Sequence, residues 1–404
     1  MMNDRKKIAI ITPGSVPVPA VEGGAVEQLI EYFINTNELT QKYCIDVYTV
    51  DNPKLDNINY KLTNLIKIPN KQSHLFYKVC YKVKNVYNRR SKNQLIYSYV
   101  DDEVVKKYKS NYYDIVIVEN NMDIYKRLYP KFMNEKIIFH LHNDFNSKDP
   151  FKTIEKTNFV LNTADEVWVV SNFLKEKLLG LQPNKKKKIK VVYNGIVSSK
   201  FKNVTIDEKE RLRTTYNIQN NDIVFTFVGR LDKDKGVDKL IDAINQLTAT
   251  SNIKCLIVGG SLFGTIKEKH RIKMLEKKIN KLKSKFIFTG HIDNEQLYKI
   301  YSISDCVVIP TQIEEAFGVV ALESMIMGLP VIASDSGGLP EILTSKCALF
   351  VKRNKNYVKV LSDDILKMCS NKNLRKTLGS NAKKRALIFP MTEYEYYKEW
   401  NENL

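Results

Sequence analysis

The sequence has 404 residues, which is long for one hydrophobic core and predicts two domains of ordinary size. Apolar residues make up 43% of the chain, a proportion typical of folded proteins that excludes a largely disordered one. The 64 Lys and Arg against 45 Asp and Glu leave a formal net charge of +19. This excess favours anionic partners: nucleotides, diphosphate carriers, phospholipid surfaces or nucleic acid.

The six cysteines are scattered without C-x-x-C spacing, and several lie in apolar runs. This pattern predicts buried free thiols in a reducing cytosol, with no disulfide or zinc framework. The apolar run near the N-terminus is too short for a signal peptide, and no segment has the length needed to cross a bilayer. We expect a cytoplasmic protein, with peripheral contact to the inner face of the cell membrane as an option.

Short apolar runs rich in β-formers alternate along the chain with longer helical patterns, as in parallel sheets with crossover helices. The first half carries KIAIITPG, CIDVYTVD, DIVIVEN, KIIFHLHND, DEVWVVSN and IKVVYNG. The second half carries IVFTFVGR, IKCLIVGG, KFIFTGHI, DCVVIPT, LPVIASDS and ALFVK. Polar residues and glycines follow these runs, where open α/β sheets place the loops that contact ligands. Two sheets are predicted.

The domain boundary is predicted near residue 200, because residues 198–222 are polar and poor in strand patterns. At the C-terminus, Tyr394, Tyr397 and Trp400 recur at helix-like spacing. They predict a last helix whose aromatic side chains pack on the protein.

The stretch FVGRLDKDKGVDKLI predicts a strand, a basic loop and a helix. Arg230 follows the strand, and Lys235 and Gly236 precede the helix. A guanidinium, an ammonium and free helix amides form a clamp for a diphosphate. A solvent-exposed charged turn without a ligand explains the same residues equally well. The acids Asp232 and Asp234 resemble a D-x-D metal-nucleotide motif, but a charge-balanced loop is the favoured interpretation.

The stretch EEAFGVVALE places Glu315 and Glu323 on either side of a Phe-Gly pair. Gly318 indicates a junction between a loop and a helix, and Gly328 indicates the end of that helix. Carboxylates accept hydrogen bonds from sugar and ribose hydroxyls, while the helix amides suit a diphosphate. The combination fits a nucleotide sugar. The helix dipole alone would explain Glu315, but not Glu323 within an apolar helix.

The stretch KIIFHLHNDF places His140, His142 and Asp144 two residues apart, hence on one face if the strand continues. H-x-H-x-D resembles the start of the metallo-β-lactamase signature, but the sixth position is Phe145 and the chain has only five His. We favour His142 as a strand-end donor to sugar oxygens and His140 as a core residue. A metal site is the alternative.

Near the N-terminus, Gly23 and Gly24 precede a predicted helix, but neither this loop nor SDSGGLPEIL matches G-x-G-x-x-G or a P-loop. A dinucleotide oxidoreductase and a P-loop NTPase are therefore poorly supported. Residues 75–100 interleave Phe76, Tyr77, Tyr81 and Tyr87 with Lys and Arg at a spacing that fits a basic amphipathic helix on a membrane interface. Ordinary packing remains equally open, and binding of single-stranded nucleic acid is less favoured.

These motifs together resemble glycosyltransferase family four. EAFGVVALE followed by IMGLPVIASDSGGLPEI resembles its donor-site signature, and FVGRLDKDKG resembles its G-R-x(n)-K-G diphosphate motif. FTGHIDNEQLYKIYSISDCVVIPTQIEEAFG, VVYNGI and PAVEGGAVEQL also resemble family segments in the expected order. The resemblance covers nearly the whole chain. One departure is Ser198, where the family often has Asp.

The resemblance implies an α/β protein of the GT-B fold, with two facing Rossmann-like domains, parallel sheets and an interdomain cleft. It implies an acceptor-side domain over residues 1–200, a nucleotide-sugar-binding domain over 201–385 and a C-terminal helix over 386–404 that returns to the first domain. It also implies a retaining transferase that needs neither metal nor cofactor.

Carried over by motif position, the resemblance implies roles for individual residues. Arg230 and Lys235 would hold the diphosphate, Glu323 the ribose and Glu315 the hydroxyls of the donor sugar. His142 would be the active-site His of the first domain, so the implied catalytic set is His142, Glu315, Arg230 and Lys235. The other implied donor-binding residues are Gly23 and Gly24 in a closing loop, Gly290, His291 and Ile292 near the base, and Ala316, Phe317, Gly318 and Val319 around the helix start.

The expected function is sugar transfer from a nucleotide sugar to a glycan, glycolipid or polyprenyl-diphosphate-linked acceptor in bacterial surface polysaccharide synthesis. UDP is the preferred nucleotide, with GDP as the alternative. A non-catalytic GT-B protein of a coat or envelope is the second hypothesis, which the presence of Arg230, Lys235, Glu315 and Glu323 disfavours. Nucleic-acid binding through net charge is the third, and no nucleic-acid partner is expected.

Overall fold

The computed structural model describes residues 5–71, 74–88, 95–145, 150–248, 252–260 and 266–404. The chain forms two compact units. The first consists of Met1–Gly195 together with Glu393–Leu404, and the second of Ile196–Thr392.

The first unit is built on a parallel sheet of seven strands. These are β1 Lys7–Ile11, β2 Cys44–Val50, β3 Thr63–Ile68, β4 Ile115–Glu119, β5 Lys136–Leu141, β6 Glu166–Val169 and β7 Ile189–Val191. Their order across the sheet is β3-β2-β1-β4-β5-β6-β7. Central strands such as β4 are buried along their whole length, which explains their continuous apolar runs.

Helices surround this sheet: α1 Ala25–Thr40, α2 Leu75–Asn88, α3 Tyr99–Lys107, α4 Met122–Leu128, α5 Pro150–Thr163 and α6 Asn172–Leu181. In α1 the buried face includes Leu29, Ile30 and Phe33. By contrast, α2 has no buried side chain at all.

The second unit contains a parallel sheet of six strands. These are β8 Ile223–Val228, β9 Ile253–Val258, β10 Phe286–Gly290, β11 Cys306–Ile309, β12 Val331–Ser334 and β13 Ala348–Val351, in the order β10-β9-β8-β11-β12-β13. Its helices are α7 Ile206–Thr215, α8 Val237–Asn245, α9 Ile266–Ile279, α10 Leu297–Ser302, α11 Val319–Ile326, α12 Leu339–Ile342, α13 Tyr357–Ser370 and α14 Lys372–Ala386. Phe225 and Phe227 of β8 pack in the core with Leu240 and Ile244 of α8.

Both sheets have the strand order of a Rossmann fold, so the expectation of two Rossmann-like domains is confirmed. In each sheet the order reverses beside the first strand, between β1 and β4 in the first unit and between β8 and β11 in the second. Helices on opposite faces leave a crevice at such a reversal, outside the carboxyl ends of the strands, and ligands of open α/β sheets bind there. A ligand site is therefore expected in the loops after these four strands.

The last helix, α15 Glu393–Asn403, belongs to the first unit and packs on α1. Trp400 is fully buried, with its ring centroid 4.6 Å from that of Phe33, and Tyr397 is buried beside it. Tyr394 is 61% exposed, so the prediction that all three aromatics pack was wrong at this position. It lies on the solvent side of the helix. Residues 386–392, which the implied division assigned to the final helix segment, lie in the second unit.

The six cysteines are free, as expected, but only three of them are buried: Cys255, Cys306 and Cys347. Cys80 on α2 is exposed, contrary to the prediction of buried thiols. In the part of the chain that the structure describes, no helix combines the length and apolar character needed to cross a membrane.

Candidate functional site

The loop that joins β8 to α8 carries the predicted diphosphate clamp. Asp232 folds this loop on itself, because its Oδ1 accepts a 2.9 Å hydrogen bond from the backbone N–H of Lys235 and its Oδ2 lies 3.3 Å from the guanidinium of Arg230. Gly236 begins the helix at φ 75°, and a Cβ there would lie 1.8 Å from the carbonyl oxygen of Pro310. Only glycine permits that approach. The loop thereby packs against the end of β11.

The loop after β11 carries Glu315 and is supported from behind by the Gly-Gly loop that follows β12. The backbone N–H of Gly338 donates a 2.7 Å hydrogen bond to the carbonyl oxygen of Glu315. Gly337 has φ 56°, and a Cβ there would lie 2.1 Å from the same oxygen. The Gly-Gly pair of SDSGGLPEIL thus lets one loop backbone lie directly on another.

Lys235 and Glu315 come together between these two loops. The ammonium of Lys235 lies 2.5 Å from Oε1 of Glu315, and both side chains remain partly accessible, at 29% and 14%. Each follows one of the two strands that flank the reversal point of the second sheet. The pair therefore occupies the crevice position expected for a ligand. Arg230 lies in the same loop with a 71% exposed side chain.

The neighbouring acid, Glu314, has a structural environment. It forms an ion pair with Arg353, whose guanidinium also donates a 3.0 Å hydrogen bond to the carbonyl oxygen of Gln312. The hydroxyl of Ser336 lies 3.3 Å from Oε2 of Glu314. Glu314 therefore holds the loop, while Glu315 meets Lys235.

The helix predicted to begin near Gly318 is α11, and it ends before Gly328 as expected. Gly318 has φ 101°, and a Cβ there would lie 2.5 Å from Leu339. The preceding Ala316 and Phe317 are buried. The positive end of the α11 dipole therefore starts a few residues after Glu315.

Glu323 lies inside α11 and contacts Tyr301 of α10, whose hydroxyl donates a 2.6 Å hydrogen bond to Oε2. Tyr301 is fully buried. Burial raises the pKa of Glu323 to about 7, although the hydrogen bond from Tyr301 acts in the opposite direction. Spacing in the sequence gave no signal for Tyr301, because a buried tyrosine in a helix is ordinary core composition.

Gly290 is the last residue of β10, and His291 and Ile292 follow it, at the same edge of the second sheet. Gly290 has φ 75°, and a Cβ there would meet no atom within 4 Å. Its carbonyl oxygen accepts a 3.0 Å hydrogen bond from the N–H of Gly259, at the end of the neighbouring strand β9. His291 lies exposed, 3.5 Å from Asp293. The space beside Gly290 is therefore open.

In the first unit, His142 follows β5 and lies beside Glu119, the last residue of β4. Its Nε2 is 2.7 Å from Oε2 of Glu119, and Nδ1 of His140 is 3.2 Å from the same oxygen. The two imidazole rings lie 4.0 Å apart. Asp144 is instead paired with Lys177 at 2.6 Å, because the strand ends at Leu141. The expectation that H-x-H-x-D shares one face was therefore wrong for Asp144.

The Glu119 cluster is a buried group of titratable side chains. Burial alone would raise the pKa of Glu119, but His140 and His142 outweigh it and lower that pKa to about 2. Burial and the neighbouring His140 lower the pKa of His142. The cluster therefore holds a carboxylate beside a neutral His142 at pH 7.

The Glu119 cluster could also hold a metal, since one ligand atom from each of Glu119, His140 and His142 lies within 4.8 Å of the others. In the structure the same nitrogens lie at hydrogen-bond distance from the carboxylate. Sequence reasoning missed Glu119, although it follows the apolar run IVIV of DIVIVEN in the way that His142 follows KIIFHL.

The loop after β1 ends in Gly23 and Gly24, with φ of 80° and 106°, directly before α1. A Cβ on Gly24 would lie 2.2 Å from Oε2 of Glu27 in the first turn of that helix. Glu27 is buried, which raises its pKa, and a hydrogen bond from its own backbone N–H acts in the opposite direction. Glu27 is a second acid of this region that the sequence patterns did not single out.

Comparison with known families matches both halves of the chain. Residues 208–385 match the family described as glycosyl transferases group 1, and residues 64–200 match glycosyltransferase family 4. A crystal structure of the Anabaena protein HepE in complex with UDP and glucose shares the fold, with a TM-score of 0.74 and 19% identity over 99% of both chains.

Two curated relatives differ in how much of their length is matched. Lipopolysaccharide 1,2-N-acetylglucosaminetransferase of Salmonella typhimurium is 30% identical over 57% of this chain, and the match spans 56% of that protein, little more than half of its length. Spore coat protein SA of Bacillus subtilis is 22% identical over 94% of each chain.

The two doubly wound sheets and the likeness to solved structures define a protein of the GT-B fold. The chain belongs to the group 1 glycosyltransferases, family 4. The resemblance drawn from the sequence motifs is confirmed.

Proposed function

We propose that this protein is a retaining glycosyltransferase that moves a sugar from a nucleotide sugar to a glycan, glycolipid or polyprenyl-diphosphate-linked acceptor. The observation that carries the proposal is the meeting of Lys235 and Glu315 at the reversal point of the second sheet. A cation there suits a diphosphate, and a carboxylate beside it suits sugar hydroxyls. Because Lys235 and Glu315 are in direct contact, the pair can bind the diphosphate and the sugar of one nucleotide sugar.

The residues of the second unit divide the donor between them. Lys235 and Arg230 bind the diphosphate, together with the amide end of α11. Glu315 accepts hydrogen bonds from the donor sugar, and Glu323 from the ribose. The exposed turn at Gly290 receives the base. UDP is the proposed nucleotide, supported by the UDP complex of the structurally similar HepE.

Charge stabilisation of the leaving group supplies the catalysis. As the bond between the sugar and the diphosphate breaks, negative charge grows on the diphosphate beside Lys235, Arg230 and the start of α11. The acceptor oxygen attacks the same face of the sugar, and its proton passes to an oxygen of the departing phosphate. These cations replace a divalent ion, so we propose a metal-independent reaction. Full activity in EDTA is expected, and activity restored only by added metal would contradict the proposal.

In the first unit, His142 is the proposed active-site His, whose neutral ring accepts a hydrogen bond from a sugar hydroxyl through its unprotonated nitrogen. Glu119 holds one side of its ring at Nε2, which leaves Nδ1 as the atom for a substrate. Nδ1 is buried and has no hydrogen-bond partner among the residues that the structure describes. Synthesis of a surface polysaccharide is the proposed context, supported by the similarity to lipopolysaccharide 1,2-N-acetylglucosaminetransferase of Salmonella typhimurium.

A thermal-shift panel of UDP-sugars and GDP-sugars tests the donor site. The wild-type protein is expected to be stabilised by one sugar nucleotide, and Arg230→Ala to lose most of that shift. Arg230 is 71% exposed, so its removal leaves the fold intact. Lys233→Ala, an exposed cation in the same loop, is the matched control and should retain the shift. An unchanged shift in Arg230→Ala would refute the clamp.

A second candidate function is a structural role in a coat without catalysis. It is favoured by the similarity to Bacillus subtilis spore coat protein SA over 94% of each chain. This role predicts that no nucleotide sugar in the panel stabilises the protein and that no sugar is transferred. Binding of a donor together with its slow hydrolysis would exclude it.

A further inference from the structure

Helix α2 is attached to the first unit through a polar and aromatic stripe. Its least exposed residues recur at helical spacing: Tyr77, Tyr81, Asn85 and Asn88. The Tyr77 ring lies 4.8 Å from that of Tyr99, and the hydroxyl of Tyr81 donates a 2.6 Å hydrogen bond to Asp102. Asn85 exchanges two hydrogen bonds with the backbone of Tyr97, at 2.7 and 2.9 Å. These contacts fix which side of the helix faces the protein.

The apolar side chains of α2 lie on the opposite side. At about 100° per residue, they form an arc centred roughly 180° from the docked stripe. They are between 52% and 81% exposed: Leu75, Phe76, Val79, Val83, Val86 and Tyr87. A surface helix ordinarily buries its apolar stripe against the core of the protein, whereas α2 exposes its apolar stripe to solvent. A contiguous apolar surface of this kind is a mark of an interaction site.

The charge around this apolar arc has one sign. Lys78 and Lys82 are exposed beside it, and α2 contains no acidic residue. Residues 57–100 contain no Asp or Glu at all, but nine basic residues: Lys61, Lys67, Lys71, Lys78, Lys82, Lys84, Arg89, Arg90 and Lys92. Of these, Lys84 is held by Asp102 at 3.1 Å. An apolar arc with cations at its border complements the acyl boundary and anionic headgroups of a bilayer.

We propose that α2 docks the protein on an anionic lipid surface, with its apolar arc in the interface and Lys78 and Lys82 among the headgroups. A folded protein partner fits the arc less well. A 14-residue helix is only about 21 Å long, and its outer face supplies far less than the roughly 800 Å² per partner of a stable interface. A bilayer needs no complementary shape. The proposal does not depend on which sugar is transferred.

Vesicle flotation of the full chain tests this surface. We expect binding to vesicles of phosphatidylcholine with phosphatidylglycerol, and little to phosphatidylcholine alone. Val79→Glu with Val83→Glu should abolish binding, and Lys78→Ala with Lys82→Ala should weaken it on the order of tenfold. Ile206→Glu is the matched control, because Ile206 is 77% exposed on another helix, and should bind normally.

A tryptophan reporter distinguishes insertion from loose adsorption. The two native tryptophans, Trp168 and Trp400, are fully buried, so they give a constant background. Phe76→Trp should show a blue shift with anionic vesicles and quenching by brominated acyl chains. Leu39→Trp, at an 84% exposed position on α1, should show neither.

Three outcomes would overturn the proposal. The first is equal binding to neutral and anionic vesicles, and the second is full binding by the Val79→Glu, Val83→Glu variant. The third is a wild-type protein that sediments as a dimer and binds no vesicles, while the Val79→Glu, Val83→Glu variant sediments as a monomer. That result would make the apolar arc a contact between two copies of the chain. All variants should retain the melting temperature of the wild type, because the altered side chains are exposed.

Discussion

The ammonium of Lys235 lies 2.5 Å from Oε1 of Glu315, although the two residues are 80 positions apart in the chain. Without a ligand, each group neutralises the other. A diphosphate that enters this position offers Lys235 a second anion, and the donor sugar offers hydroxyl donors to Glu315. The ion pair therefore keeps both groups in place before the donor arrives.

Replacement of Lys235 by Ala should weaken donor binding about 10- to 100-fold, because a charge-assisted hydrogen bond contributes roughly 1.5–3 kcal/mol. Titration calorimetry with the nucleotide sugar found in the thermal-shift panel measures this change. Lys233→Ala should bind as the wild type does, since Lys233 is an exposed cation of the same loop. Equal affinities of Lys235→Ala and wild type for the nucleotide sugar would show that Lys235 does not bind the donor.

Substitutions of the two acids in the EAFGVVALE stretch, Glu315 and Glu323, should affect different kinetic constants. Glu323→Gln should mainly raise KM, because the ribose is held alike in the ground and transition states. Glu315→Gln should mainly lower kcat, because its contact is with the sugar that changes charge during transfer. Steady-state assays of both variants provide the measurement. A large loss of kcat in Glu323→Gln with unchanged KM would reverse the two assignments.

Donor binding should strengthen as the pH rises through about 7. Burial raises the pKa of Glu323 to about 7, so below this pH the carboxyl is neutral and accepts ribose hydroxyls less well. The dissociation constant of the nucleotide sugar should fall by up to about tenfold per pH unit between pH 6 and 7 and then level off. A UDP-sugar is used because its diphosphate does not titrate in this range.

Glu323→Gln is the control for this pH dependence and should bind with a flat profile. The free protein should show the opposite trend in stability. Between pH 4.5 and 7 the folded state holds a proton on Glu323 that the unfolded state has lost, so this contribution to stability declines as the pH rises. A pH profile of binding that is the same in both proteins would assign the titration to another group.

All twelve predicted apolar runs form strands, because buried parallel strands are continuously apolar. The thirteenth strand, β3, was missed. It is one of the two edge strands of the first sheet, and its run TNLIKI carries an exposed Asn64 and a polar Lys67. One side of an edge strand has no neighbour, so it needs less apolar sequence and gives a weaker signal.

The sequence predicted the individual residues of the site but not which of them contact one another. Lys235 and Glu315 each follow a strand, and that position indicated a ligand loop for both. Their contact depends on the reversal of strand order between β8 and β11, which local sequence does not record. In α2 the spacing predicted an amphipathic helix, yet only the contacts of Tyr77 and Asn85 decide that the apolar side faces outward.

Replacement of Glu119 by Gln should slow transfer without weakening donor binding. Glu119 accepts a hydrogen bond from Nε2 of His142, and its low pKa keeps it ionised throughout the working range. Gln can accept the same bond but does not select the ring orientation by charge, so His142 loses part of its positioning. The expected loss in kcat is roughly 10- to 100-fold. Titration with the donor should be unchanged, because the groups proposed to bind the diphosphate, Arg230 and Lys235, lie in the second unit.

A purely structural role for Glu119 predicts a different pattern. It would lower the melting temperature, since a weakened hydrogen bond on a buried group costs about 1–3 kcal/mol, and it would leave kcat of the folded fraction unchanged. Glu119→Asp keeps the charge and should recover part of kcat, with a pH profile of kcat closer to wild type than that of Glu119→Gln. Equal kcat values in wild type and Glu119→Gln would show that the contact with His142 serves the fold alone.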